Sequence, residues 1–443
     1  MSAPPPGYWN SPWPGEDGGP ERRGAPHTVA SAVGPVDADR LRVVADGLRL
    51  KEGERLVSTD RPLFASFMTV LRDPGEVYLQ LNTVGPGDNH SWLERIHPES
   101  LEPIERSPDL RGGPFWVGGT AAHANGSLYL VFGRWAHRLG PDCIPIASRE
   151  LPRELPYNSF VILPDGHLVT KDFGGERVGA ALPEPTTELL VLEPERLEIV
   201  ARHILPERSI ARLSLHDHTV TVVGDHSLFR LRWEPESAAL TPASDPVLYR
   251  RIPGQGYAWD AVLDAGASWM LDNGNGTTAF DGTLEDKGEA TAPLHLVRIP
   301  DDGTAPQYVE VDGRDGGIIV NPPSVDPERQ IVVAFDSGHR TLAAFDFDSE
   351  RINPLPRWRR DQSHAPHIVR YGATGELVTF DTRKNATGSI QERCVVLDIE
   401  TGAELGAVDT ASAMQTMAFP SPGWNRDIYV PGFTALSRVS VES

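Results

Sequence analysis

The sequence predicts an all-β protein folded as an eight-bladed β-propeller. Forty-two Gly and 40 Pro residues interrupt many short apolar runs, a pattern typical of strands joined by tight turns. No amphipathic helical segment longer than about two turns is visible. One hairpin pattern also recurs along the chain, for example as "NSFVILPDGHLVTKD" at 158–172 and "HIVRYGATGELVTFD" at 367–381. Repetition of such a unit predicts a radial repeat architecture rather than two or three separate domains.

Each repeat contains an apolar strand, a turn, a second strand that often ends in Asp, a loop, and two further strands. Eight such units are separated by 40 to 64 residues, and their first turns are centred on Gly75, Gly126, Gly166, His218, Gly266, Gln330, Gly375 and Asp427. A spacing near 50 residues with four strands per unit matches one propeller blade, since a single blade cannot bury its faces alone. A ring of seven blades is the alternative.

The last repeat ends after three strands, so its outer strand has to come from elsewhere in the chain. The segment "DRLRVVADGLRL" at 39–50 is the expected source, which would close the ring between the two ends of the sequence. Residues 1–38, rich in Pro and Gly, are then expected to form a flexible arm, and residues 39–443 a single propeller domain.

Composition excludes several classes of function. The 62 acidic and 41 basic residues give a formal net charge of −21, which disfavours binding to nucleic acid or to anionic membranes. No apolar run approaches the ~18 residues of a membrane span, and we expect a cytoplasmic protein. Cys143 and Cys394 lie far apart and form no CxxC motif, so neither a disulfide framework nor a zinc site is indicated.

Polar residues recur where the first strand of several repeats begins. Alignment of the hairpins on their turns places Asn158, Asp260, Asn321 and His367 at this position in the third, fifth, sixth and seventh repeats, with Gln415 a looser match in the eighth. Since first strands surround the propeller axis, these side chains should ring the mouth of a channel. Convergent Asn, Asp and His in a concave site indicate ligand binding; strand capping or ordering of channel water is the structural alternative.

Aspartates end the second strand of four repeats, at Asp172, Asp272, Asp336 and Asp381. Repeated aspartates at such positions mostly accept hydrogen bonds from nearby backbone amides. We therefore predict a structural role for these four residues.

Two histidines mark the start of the seventh repeat in "DQSHAPHIV", His364 and His367. Either is a candidate general acid/base because the imidazole pKa is normally near neutrality, and Asp260 could orient it. Aromatic residues precede several of the axial strands and could wall a pocket around the polar ring: Trp116, Tyr157, Tyr257 and Trp259.

The hairpin "NSFVILPDGHLVTKD" resembles the "PNG...PDG...Y.TD" hairpin of the SMP-30/gluconolactonase, paraoxonase and strictosidine-synthase propellers. That resemblance implies a divalent metal on the axis, most readily calcium, with Asn158, Asp260 and Asn321 as ligands. The blade number and length look more like those of PQQ-dependent dehydrogenases. Their tryptophan docking motifs and vicinal disulfide are absent, so no PQQ is expected, and the lack of a Walker loop predicts no nucleotide cofactor.

Two functional hypotheses follow. The first is an enzyme acting on a small organic substrate, such as a lactone, an ester or a natural product, in the axial pocket through His367 and Asp260. Hydrolysis, with or without a metal, and metal-free cyclase, lyase or isomerase chemistry both fit. The second is a non-catalytic propeller that binds a protein or ligand on one face. An enzyme requires an open, apolar-walled channel with His367 and Asp260 within hydrogen-bond reach, and a separation of more than about 10 Å would exclude their catalytic role. A scaffold predicts an exposed apolar patch on the rim and a channel blocked by side chains.

Overall fold

The structure is a computed structural model, and it describes residues 4–28, 47–84, 89–113, 118–173, 186–273, 291–363, 367–384, 388, 390–411 and 419–443. Thirty-four strands and one short 3₁₀ turn, Glu16–Gly18, account for its regular structure. No helix among these residues is long and apolar enough to cross a bilayer.

The strands form eight antiparallel sheets, each a blade of four main strands, which confirms the predicted eight-bladed propeller. From the axis outwards, blade 1 contains β2 (Ser66–Leu71), β3 (Val77–Asn82), β4 (His90–Ile96) and β5 (Pro103–Arg106); blade 2 contains β7 (Gly119–Ala122), β8 (Leu128–Phe132), β9 (Trp135–Leu139) and β10 (Pro145–Glu150); blade 3 contains β11 (Tyr157–Ile162), β12 (Leu168–Asp172), β13 (Thr187–Leu192) and β14 (Ile199–Leu205); and blade 4 contains β15 (Ser214–His216), β16 (Thr219–Val223), β17 (Ser227–Glu234) and β18 (Ala239–Pro242). Two short extra strands, β6 (Leu110–Arg111) and β19 (Val247–Leu248), pair with β4 and β17.

The second half of the ring repeats this order. Blade 5 contains β20 (Val262–Asp264), β21 (Ala267–Leu271), β22 (Pro293–Pro300) and β23 (Gln307–Asp315); blade 6 contains β24 (Ser324–Asp326), β25 (Ile331–Asp336), β26 (Thr341–Phe347) and β27 (Ile352–Asp361); blade 7 contains β28 (Val369–Tyr371), β29 (Glu376–Lys384), β30 (Ile390–Asp398) and β31 (Glu404–Asp409); and blade 8 contains β32 (Ser421–Pro422), β33 (Asp427–Val430), β34 (Ala435–Glu442) and β1 (Arg55–Pro62).

Closure of the ring follows the expected principle but uses a different segment. The outer strand of blade 8 is β1, paired antiparallel with β34 from Arg55–Glu442 to Pro62–Ala435. The expected segment 39–50 lies mostly outside the described residues, and the closing strand begins after it. Strand β1 is half exposed, and its sequence, RLVSTDRP, contains no apolar run. Residues 39–50 contain such a run and were therefore predicted to be the closing strand.

The hydrophobic core lies between neighbouring blades. One cluster joins blades 5 and 6, where the rings of Trp269 and Phe347 lie 4.9 Å apart. Another joins blades 2 and 3 and contains the fully buried Tyr157. Each blade buries both of its sheet faces against neighbouring blades. The two opposite faces of the ring are therefore formed by strand ends and turns. We call the face where the innermost strands begin the start face, and the face with the first-to-second strand turns the turn face.

The N-terminal segment lies at the centre of the ring. The sequence places residues 1–38 in an arm outside the propeller, whereas residues 4–28 contact the innermost strands of several blades. Backbone N–H groups of five innermost strands donate hydrogen bonds to carbonyl oxygens of this segment: Leu71 to Trp13, Ala122 to Pro14, Leu215 to Pro20, Leu263 to Glu21 and Arg370 to Gly24. Residues 7–27 therefore occupy the axial channel, and we call them the plug.

Candidate functional site

The plug enters and leaves the channel at the turn face. The backbone N–H of Ala124, in the first turn of blade 2, donates to Gly7, and the Trp9 indole donates to Asp73 in the first turn of blade 1. The segment then folds back on itself, with the N–H of Gly24 bonded to the carbonyl of Asp17 at 2.9 Å. Asp17 and Gly18 have φ of 50° and 84° at this tip, a left-handed geometry that glycine adopts without strain. From this tip the side chains of Asp17 and Arg22 extend to residues at or just before the starts of innermost strands.

Three ionisable residues of the plug meet the predicted polar ring there. Arg22 donates to Asp17 Oδ2 at 2.9 Å and to Glu16 Oε2 at 2.6 Å. The same guanidinium donates to Ser159 Oγ at 3.0 Å and to the carbonyl of Leu213 at 2.8 Å. Since Ser159 and Leu213 belong to blades 3 and 4, Arg22 ties the tip to both walls of the channel.

The predicted pair His367 and Asp260 completes this cluster. His367 Nδ1 lies 2.7 Å from Asp17 Oδ1, and one ligand atom from each of His367, Asp17 and Asp260 lies within 4.8 Å of the other two. Asp260 accepts from the backbone N–H of Arg212 at 2.7 Å and lies 3.5 Å from its guanidinium. The two residues chosen from the sequence are thus neighbours, but a carboxylate of the plug stands beside them.

Burial and charge together set the protonation of the cluster. All six ionisable residues are less than 9% exposed: Glu16, Asp17, Arg22, Arg212, Asp260 and His367. Burial opposes ionisation of Asp17, yet the charge and hydrogen bond of His367 and the nearby arginines lower its pKa. Arg212 and Arg22 likewise outweigh burial and lower the pKa of Asp260, whereas burial dominates at Glu16 and raises its pKa. The cluster is therefore internally compensated, with two guanidinium groups beside three carboxyl groups.

The donor set suits a metal ion poorly. Asp17 and His367 are bonded to each other, and Asp17 and Asp260 each face an arginine. A dication would add two positive charges beside Arg22 and Arg212, whose own charges already offset these carboxylates. No metal-dependent step follows from this geometry.

The remaining predicted site residues lie in varied surroundings. Tyr257 is buried and packs with Phe173, Ile210 and the half-buried Trp259. Tyr157 lies in the core between blades 2 and 3, where its hydroxyl accepts from the backbone N–H of Arg153 at 3.3 Å. Asn321 is fully buried ahead of β24. Asn158 lies in β11, but its side chain is not among the described groups, and His364, Gln415 and Trp116 lie outside the described residues.

The four aspartates that end second strands accept hydrogen bonds near those strand ends. Each accepts a backbone N–H and faces a basic or imidazole group: Asp172 binds Glu188 N and Arg153, Asp272 binds His295 N and its ring, Asp336 binds Ile318 N and the His339 ring, and Asp381 binds Ser363 N and Arg393. These contacts support a structural role.

The Asp336→Ala variant should lose about 2–4 kcal/mol of unfolding free energy, because two backbone N–H groups and the His339 ring lose their acceptor. Chemical denaturation measures this. The control is Asp346→Ala in the same blade, whose side chain is 42% exposed and pairs with Arg357 at 2.8 Å; it should change stability by less than about 1 kcal/mol. Equal losses in the two variants would contradict a structural role for Asp336.

Sequence reasoning missed Glu16, Asp17, Arg22 and Arg212. The plug has no strand periodicity, so its contacts could not be derived from a repeat. Its aromatic residues were the available signal: Tyr8 and Trp13 are 6% and 1% exposed, and aromatics are depleted in segments that remain solvated.

Comparison with known proteins gives similarity at the level of fold. No protein-family model matches the chain, and no curated protein matches it. Sqt1 from Chaetomium thermophilum, solved bound to the N-terminus of ribosomal protein L10, is 12% identical with a TM-score of 0.53, covering 85% of this chain and 96% of its own. The Dos1 propeller is 8% identical with a TM-score of 0.51, covering 85% of this chain and 95% of its own.

A third similar structure is the quinohemoprotein alcohol dehydrogenase from Comamonas testosteroni. It is 11% identical with a TM-score of 0.51, covering 96% of this chain and 80% of its own. At such low identities, these three likenesses show that the chain shares the β-propeller fold with proteins of different kinds.

Proposed function

We propose that this protein is a non-catalytic binding propeller whose partner is a positively charged polypeptide held on its outer surface. The observation that carries this proposal is the plug. His367 and Asp260, the residues best suited to acid/base chemistry, are buried and engaged by Asp17 and Arg212 of the same chain. A small substrate would have to displace these contacts before it reached either group.

The charge of the protein favours a basic partner. A formal net charge of −21 attracts cationic surfaces and accelerates their association at low ionic strength. The Sqt1 structure pairs a propeller of similar fold with a peptide segment of another protein, which is consistent with this mode of binding.

A cavity of about 650 Å³ on the start face, between blades 1 and 2, is the docking point we favour. It is lined by Trp135, which is half buried, and the Arg111 guanidinium lies 5.2 Å from its ring centroid. Tryptophan and arginine are the residue types most enriched where interfaces gain their affinity. The carboxylates of Asp109 and Glu154, 55% and 90% exposed, also line the cavity, and they lie 2.7 Å from Arg106 and 3.5 Å from Arg134, respectively.

Selection from a random 12-residue peptide library at 150 mM salt tests the proposal. We expect the selected peptides to carry net positive charge and to bind more weakly as salt rises. Trp135→Ala should weaken their binding at least roughly tenfold, whereas Trp358→Ala, a half-buried tryptophan of blade 6 on the opposite side of the ring, should not. Neutral or acidic selected peptides, an empty selection, or indifference to Trp135→Ala would each count against the proposal.

An axial enzyme is the second candidate, because His367 and Asp260 of the ring lie within 4.8 Å of each other and would remain together after the plug had left. It would act on a lactone, an ester or a related small molecule once the plug had left, with calcium or without a metal. Dihydrocoumarin and p-nitrophenyl acetate hydrolysis by wild type and His367→Gln, together with elemental analysis and melts with and without EDTA, tests it. Turnover that depends on His367 supports this candidate; bound metal whose removal lowers the melting temperature supports its metal-dependent form.

A further inference from the structure

The plug has the features of a bound peptide rather than of a propeller element. It contributes no strand to any blade, since all eight blades reach four strands without it and the ring is closed by β1. It begins and ends at the turn face and is held by backbone hydrogen bonds to the innermost strands of five blades. Removing it would break no sheet.

Aromatic anchors fix the plug on two sides of the channel. Trp13 is 1% exposed in a cluster formed mainly by residues of blades 1, 7 and 8. Tyr8 packs between blades 2 and 3, and its hydroxyl accepts from the backbone N–H of Ile162 at 3.0 Å. Buried aromatics of this kind dominate the affinity of peptide interfaces.

The buried charged cluster at the tip contains residues of both the plug and the ring. Glu16, Asp17 and Arg22 come from the plug, while Ser159, Arg212, Asp260 and His367 come from blades 3, 4, 5 and 7. Ser159 Oγ donates to Glu16 Oε2 at 3.0 Å, and Arg212 Nε lies 3.7 Å from the same oxygen. The ring thus presents a polar recognition surface for a turn that carries two carboxylates and one guanidinium.

Close approach of backbones makes this fit sequence-specific. A Cβ at Gly7 would lie 2.3 Å from the carbonyl oxygen of Leu163, and one at Gly24 would lie 2.5 Å from that of Ile368. Both glycines also have positive φ, 88° and 59°. Few unrelated peptides would satisfy both requirements and the charged tip.

From these contacts we propose that the axial channel is a peptide-binding site and that residues 7–27 are its intramolecular, exchangeable occupant. The tether supplies a high effective concentration, so the intact chain fills its own channel. A separate copy of the same segment binds only when the tethered one is free to leave. This inference concerns the channel and stands whether or not the surface binds a basic partner.

A full-length chain with a protease site inserted between Thr28 and Gly47 provides the test. After purification and cleavage, size exclusion with mass spectrometry shows whether the N-terminal fragment stays with the propeller. Fluorescently labelled synthetic peptide 4–28 is then added in excess. The cleaved protein should take up the labelled peptide while it remains folded, and the uncleaved protein should not.

Peptide variants separate specific from generic uptake. Labelled peptide with Arg22→Met should compete roughly 100-fold less well, since two carboxylates would be buried without their guanidinium. Peptide with Arg23→Met should behave like the parent, because Arg23 is 27% exposed and pairs with Glu21 and Asp264 at the turn face.

Two results would overturn the inference. Release of the fragment on cleavage, with no uptake of labelled peptide, would show that the channel has no affinity for it as a peptide. A fragment that stays bound and exchanges only at the melting temperature would show that residues 7–27 are an integral part of the fold.

Discussion

Replacing Arg22 with methionine should weaken docking of the plug by about 3–5 kcal/mol, the largest single-residue effect we expect. The substitution keeps most of the side-chain volume but removes the guanidinium that contacts Glu16 and Asp17 at 2.6 and 2.9 Å, leaving only the more distant Arg212 beside Glu16 and the His367 ring beside Asp17. Removing one partner of a buried ion pair is strongly destabilising because the other charge stays uncompensated. Hydrogen exchange of residues 7–27 measures the effect, with protection reduced by roughly 150- to 5,000-fold.

Arg23→Met is the matched control, since Arg23 is adjacent in sequence but partly exposed and bound through longer ion pairs of 3.2 and 3.6 Å. It should change exchange protection less than about fivefold, as for a surface salt bridge. Adding Glu16→Gln and Asp17→Asn to Arg22→Met should restore part of the protection. Similar protection in the Arg22 and Arg23 variants would show that the charged tip does not hold the plug.

Replacing Lys171 with methionine should change how stability depends on pH. Lys171 is fully buried in β12, where its Nζ donates to the carbonyl oxygen of Ser209 at 2.8 Å and lies 5.9 Å from the Phe173 ring centroid. Burial lowers its pKa to about 7, although nearby Asp172 and Asp260 oppose this. An unfolded lysine titrates near 10.4, so the folded chain binds this proton less readily.

The direction of the pH dependence follows from these two pKa values. Between about pH 7 and pH 10 the unfolded chain binds more protons at this residue, so the free energy of unfolding should rise with pH, by at most about 1.4 kcal/mol per unit. Below pH 7 the full penalty of burying the ammonium remains. Lys171→Met removes it and also loses the bond to Ser209, so the variant should be roughly 2–3 kcal/mol more stable than wild type at pH 6. The difference should reach zero near pH 9 and reverse by about 1 kcal/mol at pH 10, where the neutral wild-type amine still donates to Ser209.

Urea denaturation from pH 6 to pH 10 checks this expectation. Lys51→Met serves as control, because Lys51 is exposed, and its profile should parallel that of wild type. Parallel profiles for wild type and Lys171→Met would instead mean that the buried amine does not titrate in this range.

Most of the fold could be predicted because it is local and repeated. The turn at Gly166, flanked by apolar strands, can be recognised from the local sequence alone, and eight such hairpins predict the ring. The closing strand was misplaced because an outer strand is half exposed, so the apolar segment near residue 43 was a stronger signal than the largely polar sequence of residues 55–62.

The site was predicted in part for a related reason. Asp260 and His367 stand out because a polar residue at the start of an axial strand breaks a repeated apolar pattern, and the structure brings them together. Their partners Asp17 and Arg22 belong to a segment with no repeat to compare, and His367 and Asp17 are 350 positions apart. Such a contact forms only in the completed ring, and no local sequence pattern predicts it.

The same separation constrains how the molecule can be made. Residues 7–27 are translated before all eight blades, yet their backbone partners extend to Arg370, and the outer strand of blade 8 pairs with Ala435–Glu442. During synthesis the segment therefore has no complete binding surface until blade 8 has been synthesised. Pairings of such long sequence separation form slowly, so residues 7–27 should reach their native positions after the blades have formed.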